Sequence, residues 1–212
     1  MSNLTLDQKL NYIGVQISIP QKVIFPNHKW IDIENTLHEA TLEVTQDSRL
    51  FSLLCSWVSV HGDYVIIEKL MKLQKKKNSP WLVALAVCAL NMGFHQWKRL
   101  IKKQQGPLAL VNTALASSSI SIKGEEPNFR RNGFLVPKGI IRIRPLDSLT
   151  PERLVKKNRQ YRNRLLFGAS WRADIVTAIE VGMKTPYQIA KTLGCSYEPA
   201  YRIFKEYALA TA

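Results

Sequence analysis

Cysteine, acidic residues and long apolar runs are all scarce in this chain of 212 residues. Its three cysteines, Cys55, Cys88 and Cys195, stand far apart and are odd in number. No two have metal-ligand spacing, so neither a zinc site nor a disulfide framework is expected; reduced, buried thiols in a cytoplasmic protein are. The most apolar stretch, residues 80–94 (PWLVALAVCALNMGF), is too short to span a bilayer and is flanked by cations. It reads as a buried helix, with no membrane partner. The N-terminus has no charged-then-apolar leader pattern.

Catalytic patterns are missing as well. The sequence contains no G-x-G-x-x-G, no G-K-[ST] and no G-x-S-x-G, hence no recognisable phosphate cradle or nucleophile elbow. His28, His38, His61 and His95 are scattered, without the E-x-x-H or cysteine spacing of a metal centre, and read as surface or satisfied polar residues. Asp63 with Glu68 and Glu125 with Glu126 are better explained by helix capping and by solubility than as catalytic pairs. Ser117, Ser118 and Ser119 have no evident base. We assign no catalytic residue, no metal ligand and no cofactor, and expect a non-enzyme.

Acid is scarce where base is not: 30 Lys and Arg face 16 Asp and Glu, for a formal charge of +14 and a pI near 9.8. Such an excess costs stability through self-repulsion and points to a polyanion; a plain solubility device is the bland alternative. The apolar content of 46% excludes wholesale disorder. Residues 1–50 carry a net charge of −2 and residues 151–212 a net +6, which puts the polyanion in the middle and C-terminal parts.

Along the chain, residues 1–28 give mixed signals, with Ile17, Ile19, Val23 and Ile24 around Pro20 suggesting short extended pieces. Helical spacing begins near Lys29, with Trp30, Ile33, Leu37 and Leu42 in register. Asp47 is an expected N-cap for a second helix through Leu50, Leu54, Trp57 and Val58, and Asp63 for a third that runs into Lys75-Lys76-Lys77. Ser79-Pro80 opens the apolar helix. Trp57, Trp81 and Trp97 are expected in the core. Residues 1–116 thus form a helical bundle. Residues 117–149 read as a basic linker: SSSISIKGEEPNFRRNG is rich in turn formers, and FLVPKGIIRIRP suggests a β-hairpin around a type I turn at Val136-Pro137-Lys138-Gly139. The hairpin carries Arg142 and Arg144. Thr150-Pro151 opens another helix, with Leu154, Tyr161 and Leu165 on one face. Around them Lys156, Lys157, Arg159, Arg162 and Arg164 have no acid after Glu152. Such a run is either a solvated face or a set of phosphate contacts.

The C-terminal residues 150–212 are expected to be tri-helical. Residues 170–182 form the first helix of the trio. Thr185, Pro186 and Gln188 make a capping box, Gly194 suits a left-handed helix end, and Ser196 can cap the next helix through the Glu198 N–H. Ala200, Ile203, Phe204 and Tyr207 would face inward, leaving Glu198, Arg202 and Lys205 outward with Tyr201 at the edge.

AKTLG, the turn Gly194-Cys195-Ser196 and inward Ala200 and Ile203 resemble the helix-turn-helix of bacterial DNA-binding regulators. With residues 170–182 as the leading helix, about 40 residues are similar to the winged-helix core. In that family a wing hairpin follows the recognition helix; here it is either absent or supplied by the upstream FLVPKGIIRIRP. The resemblance implies major-groove reading by the helix that Ser196 and Tyr197 open. Arg202 would donate to guanine and Glu198 accept from cytosine; Lys205 and Tyr201 would hold phosphates. The bland alternative is an ordinary Glu198–Arg202 surface ion pair.

The expected fold is therefore mostly α: a helical bundle, a short β-hairpin linker and a tri-helical helix-turn-helix domain. The expected function is sequence-specific binding of double-stranded DNA by a homodimeric transcriptional regulator of bacterial or phage type, its effector unidentified. The rival is a protein–protein adaptor whose tri-helical unit is structural. An RNA binder is disfavoured, because no exposed aromatic stacking platform is apparent.

Overall fold

Capping chemistry sets most of the helix starts. In the computed structural model, which describes residues 4–17, 30–45, 47–102, 106–110 and 113–211, helix α1 (Leu6–Tyr12) begins at a reciprocal box. The Thr5 hydroxyl accepts from the Gln8 N–H at 3.3 Å, and the Gln8 side chain accepts from the Thr5 N–H at 3.0 Å. The T-L-D-Q pattern carries this signal, in a region that was expected to give only mixed signals. The expectations for Ile19, Val23, Ile24 and His28 lie outside the described residues.

Asp32 caps α2 (Ile33–Glu43) and Asp47 caps α3 (Ser48–His61). Asp63, however, caps nothing: it sits in a 3₁₀ turn, and α4 (Ile67–Lys76) starts four residues later. The first buried N–H of that start, on Ile66, donates instead to the Glu34 carboxylate at 2.9 Å. Ser79 and Pro80 open α5 (Pro80–Asn91) as expected, although the Ser79 hydroxyl donates to Thr41 O and accepts from no N–H of its own helix.

The first apolar core collects one face of α1 to α4 and surrounds α5, which is buried continuously from Trp81 to Ala89. Trp57, Trp81 and Trp97 all lie within it, and Trp57 and Trp97 donate their indole N–H groups to Ile13 O and Gly62 O. Gly62 is packed against the Phe94 ring so closely that a Cβ there would come within 2.7–2.8 Å of Cδ2, Cε2 and Cγ. Because Cγ is the fixed end of the ring, Phe94 itself must move. Gly62→Ala should cost about 1–3 kcal/mol, measured by urea denaturation; unchanged stability would mean that the ring gives way freely.

The first half of the stretch expected to be a linker is largely helical. It contains α6 (Thr113–Lys123) and α7 (Pro127–Arg131), and Phe129 joins the first core. Serine lowers helix propensity only slightly, and burial of Ala116 holds the helix in place. The expected hairpin is not formed either. Strand β2 (Phe134–Leu135) runs parallel to β1 (Leu108–Ala109), with Leu108 opposite Phe134. The turn falls one residue later than expected. The Ile140 N–H donates to Pro137 O, and Gly139 takes a φ of +73°, the third-position requirement of a type II turn. Residues 140–144 then lie along α3, where the Arg142 and Arg144 N–H groups donate to the hydroxyls of Ser52 and Ser56. Alternate residues of an extended chain are about 6.6 Å apart and an i, i+4 helix pair about 6 Å. The two serines therefore stand in for a strand edge.

The expected single basic helix is broken in two. Helix α8 (Pro151–Lys157) ends at Asn158, whose side chain accepts from the Tyr161 N–H and so starts α9 (Arg159–Phe167). Leu154 and Tyr161 are buried in the first core, while Leu165 is exposed. A second, smaller core is built from α10 (Trp171–Glu180), α11 (Pro186–Leu193) and α12 (Tyr197–Ala210). The fold is mostly α, as expected. No helix among the described residues is long and apolar enough to cross a membrane.

Candidate nucleic-acid interface

The tri-helical unit is assembled from local signals. Ile175, Val176 and Ala178 of α10 meet Ile189, Ala190 and Leu193 of α11, and Ala200 and Ile203 of α12 close the core. Thr185 accepts from the Gln188 N–H at 3.2 Å; the Gln188 side chain reaches back to the Lys184 N–H rather than to Thr185, so the box is half made. Gly194 ends α11 at φ +69° in the left-handed region, which favours glycine. Ser196 is the N-cap residue of α12, but its hydroxyl caps no backbone N–H. One contact invisible in the local sequence fixes this turn: Lys72 of α4 donates to Gly194 O at 2.9 Å, with its ammonium 4.9 Å from the centre of the Trp171 ring.

Burying Ala200 and Ile203 turns the opposite face of α12 to solvent. Ser196, Tyr197, Glu198, Tyr201, Arg202 and Lys205 are all exposed. Tyr197 and Tyr201 stack, with ring centres 5.9 Å apart, and the Lys205 ammonium sits 4.6 Å above Tyr201. Glu198 and Arg202 do not pair with each other, and no ion pair engages Arg202 among the described residues. The bland ion-pair alternative is therefore not what the helix displays. Tyr187 at 68% exposure, Tyr197 at 53% and Tyr201 at 41% place three tyrosines on the surface of α11 and α12; Tyr197 and Tyr201 were expected on the reading helix, but a stacked aromatic surface was not. Tyr187 was missed because it follows a helix-opening proline and belongs to no apolar stripe.

The cations upstream fare differently. Arg164 was expected among the phosphate contacts and is fully buried. Its five N–H donors are all used. Nη1 and Nη2 reach Glu34 at 2.5 and 2.7 Å, Nε and Nη2 reach Asp174 at 2.9 Å each, and Nη1 reaches Tyr64 O at 2.8 Å. A guanidinium desolvated in this way cannot meet solvent phosphate. Lys157 donates to the backbone and side-chain oxygens of Asn11 at 2.5 and 2.6 Å. Arg159 and Arg162 converge on Glu180, at 2.7 Å to its carbonyl and 3.0 Å to its carboxylate. The acid that compensates this run thus comes from α10. Lys156 is exposed, and Arg142 and Arg144 are exposed beside α3 rather than on a wing.

Asp32, Glu34 and Asp174 bring their carboxylates within 4.8 Å of one another, a set that could hold a cation. The protein supplies that cation itself. Lys69 Nζ lies 3.0 Å from Asp174 and 3.5 Å from Glu34, and it also contacts Asp32. Burial alone would push the Lys69 ammonium down, but Asp174, Asp32 and Glu34 outweigh it and hold it up. Burial likewise opposes ionisation of Asp174, and Arg164 and Lys69 overcome it. This cluster clamps α2 and α4 to α9 and α10.

His61 carries a separate buried relay. Its Nδ1 is 2.8 Å from the Tyr161 hydroxyl, and its Nε2 is 2.9 Å from Leu149 O and 3.1 Å from Ser148 Oγ. A carbonyl only accepts, so Nε2 carries the proton and Nδ1 accepts from Tyr161. All three side chains are buried, which makes the set a core network rather than a catalytic one. His38, also buried, lies 2.8 Å from Lys77 O.

No protein-family model matches the chain, and no curated protein or solved structure does.

Proposed function

We propose that the protein binds double-stranded DNA sequence-specifically through α12, as a homodimeric transcriptional regulator of bacterial or phage type. The observation that carries this reading is the face of α12 itself. Arg202 is exposed and free of any carboxylate, and Lys205 and two tyrosines flank it on a helix anchored by Ala200 and Ile203. The type of presentation is that of a helix-turn-helix: a helix held rigidly from behind, with a forked donor pointing outward. A guanidinium suits the paired acceptors of guanine in the major groove. The excess of 30 basic over 16 acidic residues supports the same reading.

Selection from random duplex oligonucleotides with the full chain tests it. An enriched motif is expected, with affinity falling by a log–log salt slope of about −0.9 for each phosphate neutralised. Arg202→Ala should remove about 1–3 kcal/mol of discrimination at one base pair while the thermal melt stays unchanged. A flat salt response, or preference untouched by that substitution, defeats the proposal.

A protein–protein adaptor is the second reading. Leu166 and Phe167 are exposed beside Ile203 and Tyr207 in a groove of about 330 Å³ between α9 and α12. An exposed apolar patch is a common mark of protein contact. Co-purification of a protein that survives nuclease treatment, with no enriched DNA motif, is the result that would favour it.

A further inference from the structure

Between the first turn of α3 and residues 137–144 lies a cleft of about 520 Å³. Three separate stretches of chain send cations into it: Arg49 from α3, Lys123 from the end of α6, and Lys138, Arg142 and Arg144 from the segment laid along α3. Asp147 is the one carboxylate in its wall. Apart from Arg49, whose guanidinium is 3.7 Å from Asp47, none of these cations has an ion-pair partner among the described residues. Like charges gathered around one concavity repel one another, and an anion relieves that repulsion.

The rest of the wall is suited to a particular anion. Ser48, Ser52 and Ser119 line it with hydroxyls. Ser52 Oγ already accepts from the Arg142 N–H at 3.3 Å, which leaves its own O–H as a donor. Ser48 opens a helix of 14 residues, whose dipole adds positive potential at that end. Forked guanidinium groups and hydroxyls together match a dianion with several acceptor oxygens, which a phosphate is and a single carboxylate is not. Leu53, Pro137 and Ile140 supply the apolar part of its lining. The backbone at Gly139 is open, with no atom within 4 Å of where a Cβ would stand. The volume fits a nucleotide-sized molecule and is far too small for a duplex.

We infer that this cleft binds a small phosphorylated molecule of nucleotide size, its phosphate held by Arg142, Arg144 and Lys138 and its flat body laid on Leu53 and Ile140. The inference does not depend on the reading of α12. If both hold, the cleft is where a regulator of this kind takes its effector.

Titration calorimetry on the full chain, at matched ionic strength, tests it with AMP, GMP, CMP and UMP, with inorganic pyrophosphate and with adenosine as probes. At least one monophosphate should bind saturably at one per chain, and at least tenfold more tightly than adenosine and than pyrophosphate. The pair Arg142→Ala and Arg144→Ala should weaken it at least tenfold. Both substitutions keep the backbone N–H groups that bond Ser52 and Ser56, so the fold is expected to persist. Lys138→Glu, on an exposed turn, is the second variant and should weaken binding at least tenfold. Arg202→Ala should leave the nucleotide titration unchanged, which separates this inference from the DNA reading. Pyrophosphate binding as tightly as every monophosphate would overturn the assigned body contact. No saturable binding by any monophosphate would overturn the proposal. So would a duplex whose affinity falls in the double variant and which nucleotides do not displace.

Discussion

Alanine in place of Arg164 is expected to cost about 3–5 kcal/mol, the range for stranding buried charges. The substitution leaves Glu34 and Asp174 facing each other at zero exposure, with Lys69 alone between them and Asp32. Stability of a domain this size is itself about 5–15 kcal/mol, so the C-terminal helices should melt early or fail to dock. Trp30 and Trp171 lie within 6 Å of the Lys69 ammonium, and their fluorescence in a urea titration reports the loss. Arg164→Lys keeps a charge but not the fork that spans two carboxylates, and should recover only part of the stability. A phosphate-contacting arginine would behave in the opposite way, weakening DNA binding and steepening no melt. A variant within about 1 kcal/mol of the parent would mean that the clamp is not formed.

Acid should destabilise the protein through His61 from about pH 6.5 downward, before most carboxylates titrate. Burial lowers its pKa from the usual 6.5 to about 4, against a smaller opposing pull from Leu149 O. The folded state therefore refuses a proton that the unfolded chain accepts. Stability is fully present above pH 6.5 and is lost as the pH falls from there towards 4. At about 1.36 kcal/mol for each pH unit of displacement, the full loss is roughly 3 kcal/mol, and about 2 kcal/mol of it should be gone by pH 5. Urea midpoints at pH 7 and pH 5 measure it. His61→Gln keeps a donor for Leu149 O and cannot titrate, so its two midpoints should lie closer together than those of the parent. Equal pH dependence in both proteins would assign the acid response to other groups.

How much of the site could be read in advance differs from element to element. The α10–α12 unit was legible almost residue by residue. Its starts and stops are local chemistry: Thr185 with Gln188, Pro186 at the first helical position, Gly194 at a positive φ. Its inward positions follow a 3.6-residue period, and Ala200 and Ile203 are buried where that period puts them. Helix α1 was equally local, in the T-L-D-Q box, and went unread because no apolar period accompanied it.

The basic run 156–164 was not legible. In sequence it has no acid after Glu152, which leaves a solvated face and phosphate contact as equal readings. Glu180 and Asp174 lie on a later helix, and Glu34 stands 130 residues away. Only packing brings them together. Segment 134–144 met the same limit. Its alternation fits a hairpin, yet α3 offers hydroxyls at matching spacing and takes one arm for itself.

The starts and stops of α11, the outward face of α12 and the basic excess were therefore determined by the sequence alone, because these caps, the helical period and net charge depend on residues within a few positions or on counting. Which cations stay free for an anion was decided by the tertiary structure alone. A charge is neutralised by whatever comes within about 4 Å of it, and for Arg164, Arg159 and Arg162 those partners arrive from elsewhere in the chain, while Arg202, Arg142 and Arg144 are left facing solvent.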